Sequence, residues 1–313
     1  MMIPIPRRIK RLARRILFPP PRPVPREVYE WSIGIYTGAT PLQIVPADHV
    51  NNPVLTRHDV TDAQADFVAD PFMMSVDGTW YMFFEMMNGK TGKGKIALAT
   101  SADGFIWKYQ QTVLDEPFHL SYPYVFAWGD DYYMIPESWE AGAVRLYRAT
   151  HFPTAWSYVQ NLVQRSYIVD SSVFYYGARW WMFAETGDNF RFDTLCLFTA
   201  PALTGPWVEH PNSPIVSVDP HIARPAGRVL VESNRVIRFA QDCAPKYGLQ
   251  VFAFEVEELT PERYTEHPLV SGAILGGTGE GWNSHGMHHV DAHQLSNSSW
   301  IACVDGYSVS LVL

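Results

Sequence analysis

ADPFMMSVDGTWYMFFE (69–85), SYPYVFAWGDDYYMIPE (121–137) and VDSSVFYYGARWWMFAE (169–185) align without a gap. Each reads as an apolar strand, a turn at Asp77-Gly78, Gly129-Asp130 or Gly177-Ala178, and an aromatic strand ending in glutamate. Glu85, Glu137 and Glu185 recur with a period near 50, the spacing of a repeated supersecondary unit. KIALATS (95–101), AVRLYRA (143–149) and TLCLFTA (194–200) supply a third strand to each unit, and Trp107, Trp156 and Trp207 mark short trailing strands. A looser fourth copy, ARPAGRVLVESNRVIRFAQ (223–241), needs about two extra residues in its first turn and is followed by LQVFAFEV (249–256). The fifth, HHVDAHQLSNSSWIACVD (288–305), runs into YSVSLVL with no full fourth strand. EWSIGIYT (30–37) is strand-like, belongs to no unit, and can supply the missing strand and close a ring. Five such units predict an all-β, five-bladed β-propeller over residues 27–313. A β-sandwich does not predict repeated aromatic–glutamate endings.

In a propeller the innermost strand of each blade lines the central channel, so equivalent repeat positions converge there. The position fifteen residues before each glutamate holds Asp70, Tyr122 and Asp170, and the looser copies offer Arg224 and His289. The ends of the second strands add Glu85, Glu137, Glu185, Gln241 and Asp305. Carboxyls gathered in a cavity acquire shifted pKa values, which acid–base chemistry on a sugar requires. Glycoside chemistry uses one acid to protonate the leaving oxygen and one carboxylate to activate water or attack carbon. Asp70 is the candidate base, Asp170 orients groups or tunes a pKa, and Glu185 or Glu137 is the candidate acid. Recurrence in three blades favours a structural role for the glutamates, as acceptors for a neighbouring blade's backbone. Tyr122, Glu137, Arg224, His288, His289 and Asp305 are candidates for binding substrate. Strand alternation puts His289, Asp291 and His293 on one face and His288 on the other.

The composition supports this reading. Apolar residues make up 47% of the chain, aromatics 14% and charged residues only 18%, as suits a large core and ring-lined sites. Three cysteines, Cys196, Cys243 and Cys303, lack metal spacing and leave one unpaired, which argues against a disulfide scaffold. The net charge of −8 conceals an asymmetry: residues 1–26 carry eight cations and no acid, leaving −16 on the remainder. A body this acidic argues against nucleic acid as partner. Within the basic segment Ile9, Leu12, Ala13, Ile16 and Leu17 form one helical stripe among arginines, before Pro19-Pro20-Pro21 stops the helix. An amphipathic basic helix over 7–18 with a proline-rich linker to residue 26 suits an anionic membrane surface. A solvated basic arm and an organelle transit peptide are the alternatives, whereas a secretory signal is excluded by its interrupted apolar run. The expected location is cytoplasmic with peripheral membrane contact.

Ala69-Asp70-Pro71-Phe72, a glycine turn and WYMFFE resemble the first blade of glycoside hydrolase family 43. That resemblance implies Asp70 as general base and Asp170 as the residue that tunes a pKa and orients substrate. The family's acid is a fourth-blade glutamate followed by a small residue and proline; here Ala223-Arg224-Pro225 stands in its place, and the acid is missing. The related hydrolases often hold a calcium ion or water cluster beside a fifth-blade histidine, so a central divalent ion is left open while no cofactor is required. A second likeness spans residues 30–307. Arg224-Pro225-Ala226-Gly227-Arg228, RFAQDC (238–243), Tyr247-Gly248, LTPERYTEH (259–267), Gly286–Asp291 and Val304-Asp305-Gly306 carry it. They resemble the N-terminal propeller family of glucosamine inositolphosphorylceramide transferases and bacterial surface-polysaccharide proteins. The expected function is a carbohydrate-active enzyme, glycosidase-like or glycosyl-transferring, in surface polysaccharide or glycolipid metabolism, and Arg224 with the basic tail suits a phosphorylated or lipid-linked glycan as its substrate. The alternative is a glycan-binding scaffold that recruits an assembly complex to the membrane. Arg224 would hold a phosphate or carboxylate on the ligand.

Overall fold

A computed structural model describes residues 25–296 and 298–312. The basic helix predicted over 7–18 and its proline linker lie outside the described residues. The chain divides into a large compact unit, Glu30–Ser308, and a small one comprising Met1–Tyr29 and Val309–Leu313. Where described, the small unit consists of extended strand ends, and the Tyr29 hydroxyl donates to Glu27 at 2.9 Å.

The large unit is a five-bladed propeller of antiparallel sheets. Blade 1 is Ala65–Val76, Thr79–Asn88, Lys93–Ser101 and Lys108–Leu114, hydrogen-bonded in chain order. Blade 2 repeats this with Ser121–Trp128, Asp131–Glu137, Ala143–His151 and Ala155–Gln164. Blade 3 has Val169–Tyr176, Arg179–Glu185 and Thr194–Ala200, after which two short strands, Val208–Glu209 and Val216–Ser217, share its outer edge. Blade 5 pairs Val290–Gln294 with Trp300–Val312, then takes Arg26–Thr40 and Gln43–Pro46 as its outer strands. The strand containing EWSIGIYT therefore closes the ring.

Blade 4 shows why its copy aligned loosely. Its inner strand is split into Arg224–Pro225 and Leu230–Glu232, both pairing with Arg235–Gln241. At the break Gly227, with φ +130, meets the blade 5 strand at Val290. A Cβ there would lie 1.9 Å from the Val290 carbonyl oxygen, so only glycine permits this approach.

Four apolar clusters fill the spaces between successive blades. Phe72, Phe83, Tyr124, Met134 and Trp180 belong to the cluster joining blades 1, 2 and 3, while Phe84, Met82 and Ile301 pack blade 1 against blade 5. Burial of each large side chain contributes about 1.5–3 kcal/mol. Trp180 is buried against Trp128, and Trp80 meets His293 edge-on, so both equivalent tryptophans serve packing.

Candidate functional site

The inner strands of blades 1–3 share one local distortion. Strand register slips between Ala69 and Phe72, Ser121 and Tyr124, and Val169 and Ser172. At each slip a non-glycine residue adopts a left-handed conformation: Asp70 at φ +53, Tyr122 at +44 and Asp170 at +50. Such backbone costs about 1–3 kcal/mol per residue and persists where the surroundings enforce it. A bulge re-aims a side chain out of the regular pleat. The repeat position found in the sequence is therefore a bulge position. Arg224 differs: it stands opposite Gln241, as Ala69, Ser121 and Val169 stand opposite the three glutamates. It lies one residue before the place of Asp70.

A cavity of ≈ 340 Å³ opens here, within the usual range for small-ligand sites. Asp70, Glu85, Glu137, Arg224 and His288 line it, with Trp31, Trp139, Tyr167, Phe192 and Tyr247 as aromatic walls. Tyr122, Asp170, Glu185, His289 and Asp305 are buried outside that lining. The Tyr122 hydroxyl is engaged by Ser172 at 2.8 Å and accepts the Gly227 N–H at 2.6 Å, which joins blades 2, 3 and 4. Asp170 accepts from Arg224 Nε at 2.5 Å and Gln241 Nε2 at 3.0 Å through the same oxygen, Oδ2. The Arg224 guanidinium also lies over Phe192 and Tyr247, 4.8 and 5.0 Å from their ring centroids. Of the other arginines in this segment, Arg228 is partly buried on Asp291, Arg238 is buried on Glu266, and Arg235 pairs with Glu255 at the surface.

Asp70 Oδ2 accepts the Tyr122 N–H at 3.3 Å, and Oδ1 faces His288 Nε2 at 3.8 Å and His289 Nδ1 at 3.9 Å. Burial pushes the Asp70 carboxyl up to about 7, against the pull of His288. Glu137 Oε1 accepts the Trp139 N–H at 2.6 Å and Oε2 the Ser121 hydroxyl at 3.1 Å. Burial outweighs those bonds and lifts Glu137 to about 8. Glu185 accepts the Gly187 N–H at 2.6 Å, and burial raises it to about 7 despite Arg224. Asp305 takes the His288 ring Nδ1 at 2.8 Å and the Asp70 N–H at 2.9 Å. Burial alone would lower His288 and raise Asp305; their mutual contact reverses both, so each favours the charged form of the other. His289 is fully buried, neither ring nitrogen has a hydrogen-bond partner, and burial lowers its pKa to about 4.

Asp70, His288 and Asp305 place three donor atoms within 4.8 Å of one another. Asp305 already commits Oδ1 to His288 and Oδ2 to the Asp70 amide. One remaining carboxylate oxygen and imidazole nitrogens are not the six to eight oxygens that calcium takes. These side chains alone do not complete a calcium shell.

Repeat analysis did not single out Trp31, His119, Tyr167 or Phe192. They come from the closing strand and from connections between strands, which carry no period. Trp31 stacks on His288 at 4.1 Å between centroids; His119 Nε2 lies 3.4 Å from Glu85 Oε1. Two polar atoms of the wall, Glu85 Oε1 and the Tyr167 hydroxyl, are buried without a hydrogen-bond partner. Such atoms are where a ligand's hydroxyls gain most.

The fold and site define a five-bladed β-propeller with an acid-walled, ring-lined axial cavity. A family model described as glucosamine inositolphosphorylceramide transferase 1, N-terminal, matches residues 26–307, and the chain belongs to this family. Glucosamine inositolphosphorylceramide transferase 1 of Oryza sativa subsp. japonica is 36% identical over 296 residues, 88% of this chain and 40% of the relative. The Arabidopsis thaliana protein of the same name is 32% identical over 300 residues, 90% of this chain and 39% of the relative. The chain thus spans about two fifths of the length of these relatives. Among solved structures, the Cellvibrio cellulosa α-L-arabinanase complexed with arabinohexaose matches with a TM-score of 0.54 at 14% identity. That match covers 78% of this chain and 94% of the arabinanase, a likeness of fold.

Proposed function

We propose that this propeller is a carbohydrate-active enzyme whose axial cavity holds a phosphorylated or lipid-linked glycan for cleavage or glycosyl transfer. The observation that carries the reading is the wall itself. Asp70, with one oxygen uncommitted and a pKa of about 7, shares one cavity with two glutamates, Glu85 and Glu137, whose carboxyls burial raises well above the ordinary range. A base and an acid are thus available together, as sugar chemistry requires. Trp31, Trp139 and Tyr247 supply the apolar faces on which pyranose rings pack. The relatives' printed name, a glucosamine transferase, points to the same substrate class. Arg224 would hold the phosphate, its Nε edge fixed by Asp170.

One observation favours a second reading, a glycan-binding scaffold. An arginine tied to Asp170 occupies the region where the hydrolase resemblance expects an acid. The test follows wild type and Asp70→Asn by mass spectrometry against pooled oligosaccharides, sugar nucleotides and lipid-linked sugars. The expected result is a product made by wild type, reduced ~10²–10⁴-fold in Asp70→Asn, with ligand binding retained. Ligand bound by both proteins with no product from either would overturn the enzyme and leave the scaffold. Arg224→Ala is expected to weaken a phosphorylated ligand at least tenfold while sparing its dephosphorylated form; equal affinity for both would remove the phosphate from the proposal.

The basic segment would keep the propeller at the cytoplasmic face of an anionic membrane. Each basic residue near the headgroups contributes about 1 kcal/mol. The full chain is expected to sediment with phosphatidylserine-rich vesicles and be released by salt, and Arg11, Arg14 and Arg15 together changed to glutamine should abolish most of that binding. Unchanged sedimentation of the triple variant would refute the anchor.

A further inference from the structure

We infer that Glu85 is the proton donor of this site and that His119 positions it and steadies the carboxylate it becomes. The inference rests on the enzymatic reading above. It supplies an acid from blade 1, where neither the repeat analysis nor the hydrolase resemblance places one.

The wall offers few choices. Glu137 has both oxygens engaged, by the Trp139 N–H and the Ser121 hydroxyl, so it is held as part of the frame. Glu185 does not line the cavity. Glu85 lines it, is 5% exposed, and its Oε1 has no hydrogen-bond partner among the described residues. A buried carboxyl oxygen left unpaired at a cavity wall is costly unless a ligand completes it.

His119 is aimed at that oxygen. Its Nδ1 accepts the Gly94 N–H at 2.9 Å, which puts the proton of the neutral ring on Nε2, and Nε2 faces Glu85 Oε1 at 3.4 Å. Gly94 makes the meeting sterically feasible: a Cβ there would fall 2.8 Å from Glu85 Oε1, 2.8 Å from His119 Cε1 and 2.3 Å from the Leu120 carbonyl oxygen. The His119 side chain remains 20% exposed, which gives the pair a route to solvent. Burial holds Glu85 well above the usual carboxylate range, and Asp70, Glu137, Asp170 and Asp305 push it the same way. Burial also lowers the His119 pKa, outweighing Glu140, so both shifts favour a protonated acid facing a neutral imidazole.

The step balances. Glu85 gives its proton to the glycosidic oxygen as the bond from that oxygen to the anomeric carbon breaks, and the bonding pair leaves with the oxygen. Water, or an acceptor hydroxyl, forms the new bond to the anomeric carbon and loses its proton to Asp70. The new Glu85 carboxylate accepts from His119 Nε2–H, and solvent exchange carries a proton from Asp70 back to Glu85.

The test uses the full chain with 4-nitrophenyl and 2,4-dinitrophenyl glycosides of the common hexoses, hexosamines and pentoses. The second leaving group departs without protonation and the first needs help. On a glycoside that wild type cleaves, Glu85→Gln is expected to lose ~10²–10⁴-fold with the 4-nitrophenyl group and under tenfold with 2,4-dinitrophenyl. His119→Asn should lower kcat less. It should also move the alkaline limb of the pH profile upward, because the Glu85 carboxylate loses its donor while Asp70, Glu137, Asp170 and Asp305 still repel it. A purely structural histidine would lower stability without moving that limb. Equal losses of Glu85→Gln on both leaving groups, or the same selective loss in Glu137→Gln or Glu185→Gln, would overturn the assignment and leave the enzymatic reading standing. No turnover of any glycoside by wild type would defeat both.

Discussion

Replacing Asp291 with alanine is expected to destabilise the propeller by about 3 kcal/mol, because it strands a largely buried cation. Asp291 is fully buried and accepts Arg228 Nε at 2.6 Å, the Met73 N–H at 2.6 Å and His293 Nε2 at 3.0 Å. The other end of Arg228 donates to the Val125 carbonyl at 2.9 Å, and its guanidinium lies 5.1 Å from the Tyr124 ring centroid. One ion pair therefore ties blades 4, 5, 1 and 2 at the axis, away from the cavity lining. Removing the carboxylate leaves a guanidinium and an amide N–H without their partner in a low-dielectric interior. Removing both charges, as in Asp291→Leu with Arg228→Met, should recover most of the loss, since apolar replacement of a whole buried pair is often neutral. Chemical denaturation of the three proteins checks this. A single-variant loss below ~1 kcal/mol would mean that the interior relaxes or hydrates around the arginine.

Stability is expected to fall as pH rises from about 5 to 8, and Glu137→Gln should flatten that fall. In the folded chain Glu137 keeps its proton up to about 8, whereas its ordinary value is 4.5. Between those values the unfolded chain is ionised there and the folded chain is not, so folding takes up a proton. The stability is fully present below the lower value and is lost through the upper one, at up to ~1.4 kcal/mol per pH unit, or ~5 kcal/mol across the window. Asp70 and Glu185, each raised to about 7, act in the same direction. Asp305 and Asp291 act oppositely. His288 and Arg228 outweigh burial and hold them below the usual range, so their contribution is lost only in acid. Glutamine keeps an acceptor for the Trp139 N–H and removes the titration. Thermal melts from pH 5 to 9 should show a shallower slope for the variant; parallel slopes would exclude Glu137 as a source of the dependence.

The blade count, the closing strand and the place of Asp70 and Asp170 were legible because each depends on local order. Alternating apolar residues, a turn such as Asp77-Gly78 and a ladder partner on the next strand all lie within one repeat. The strand EWSIGIYT could be assigned to the ring because one edge lacked a partner. The same counting reached Arg224, although its register falls one residue short, since the split at Gly227 is a contact with Val290 rather than a local preference.

The use of each side chain belonged to the tertiary structure. Arg224 looked like a free cation for a ligand, yet its Nε is committed to Asp170. Tyr122 shares a repeat position with two aspartates, yet its hydroxyl joins Ser172 and Gly227 instead of lining the cavity. His288 and His289 are adjacent, but one is held by Asp305 at the wall and the other is buried without a hydrogen-bond partner among the described residues. Glu85, Glu137 and Glu185 are equivalent in sequence and differ in their oxygens' partners, which come from non-repeating connections such as those bearing His119, Trp139 and Gly187. Strand pairing follows a period of two and repeats with the blade. Charge pairing across the axis joins segments whose separation has no period, so only closure of the ring decides which carboxyl is bonded and which is left able to act.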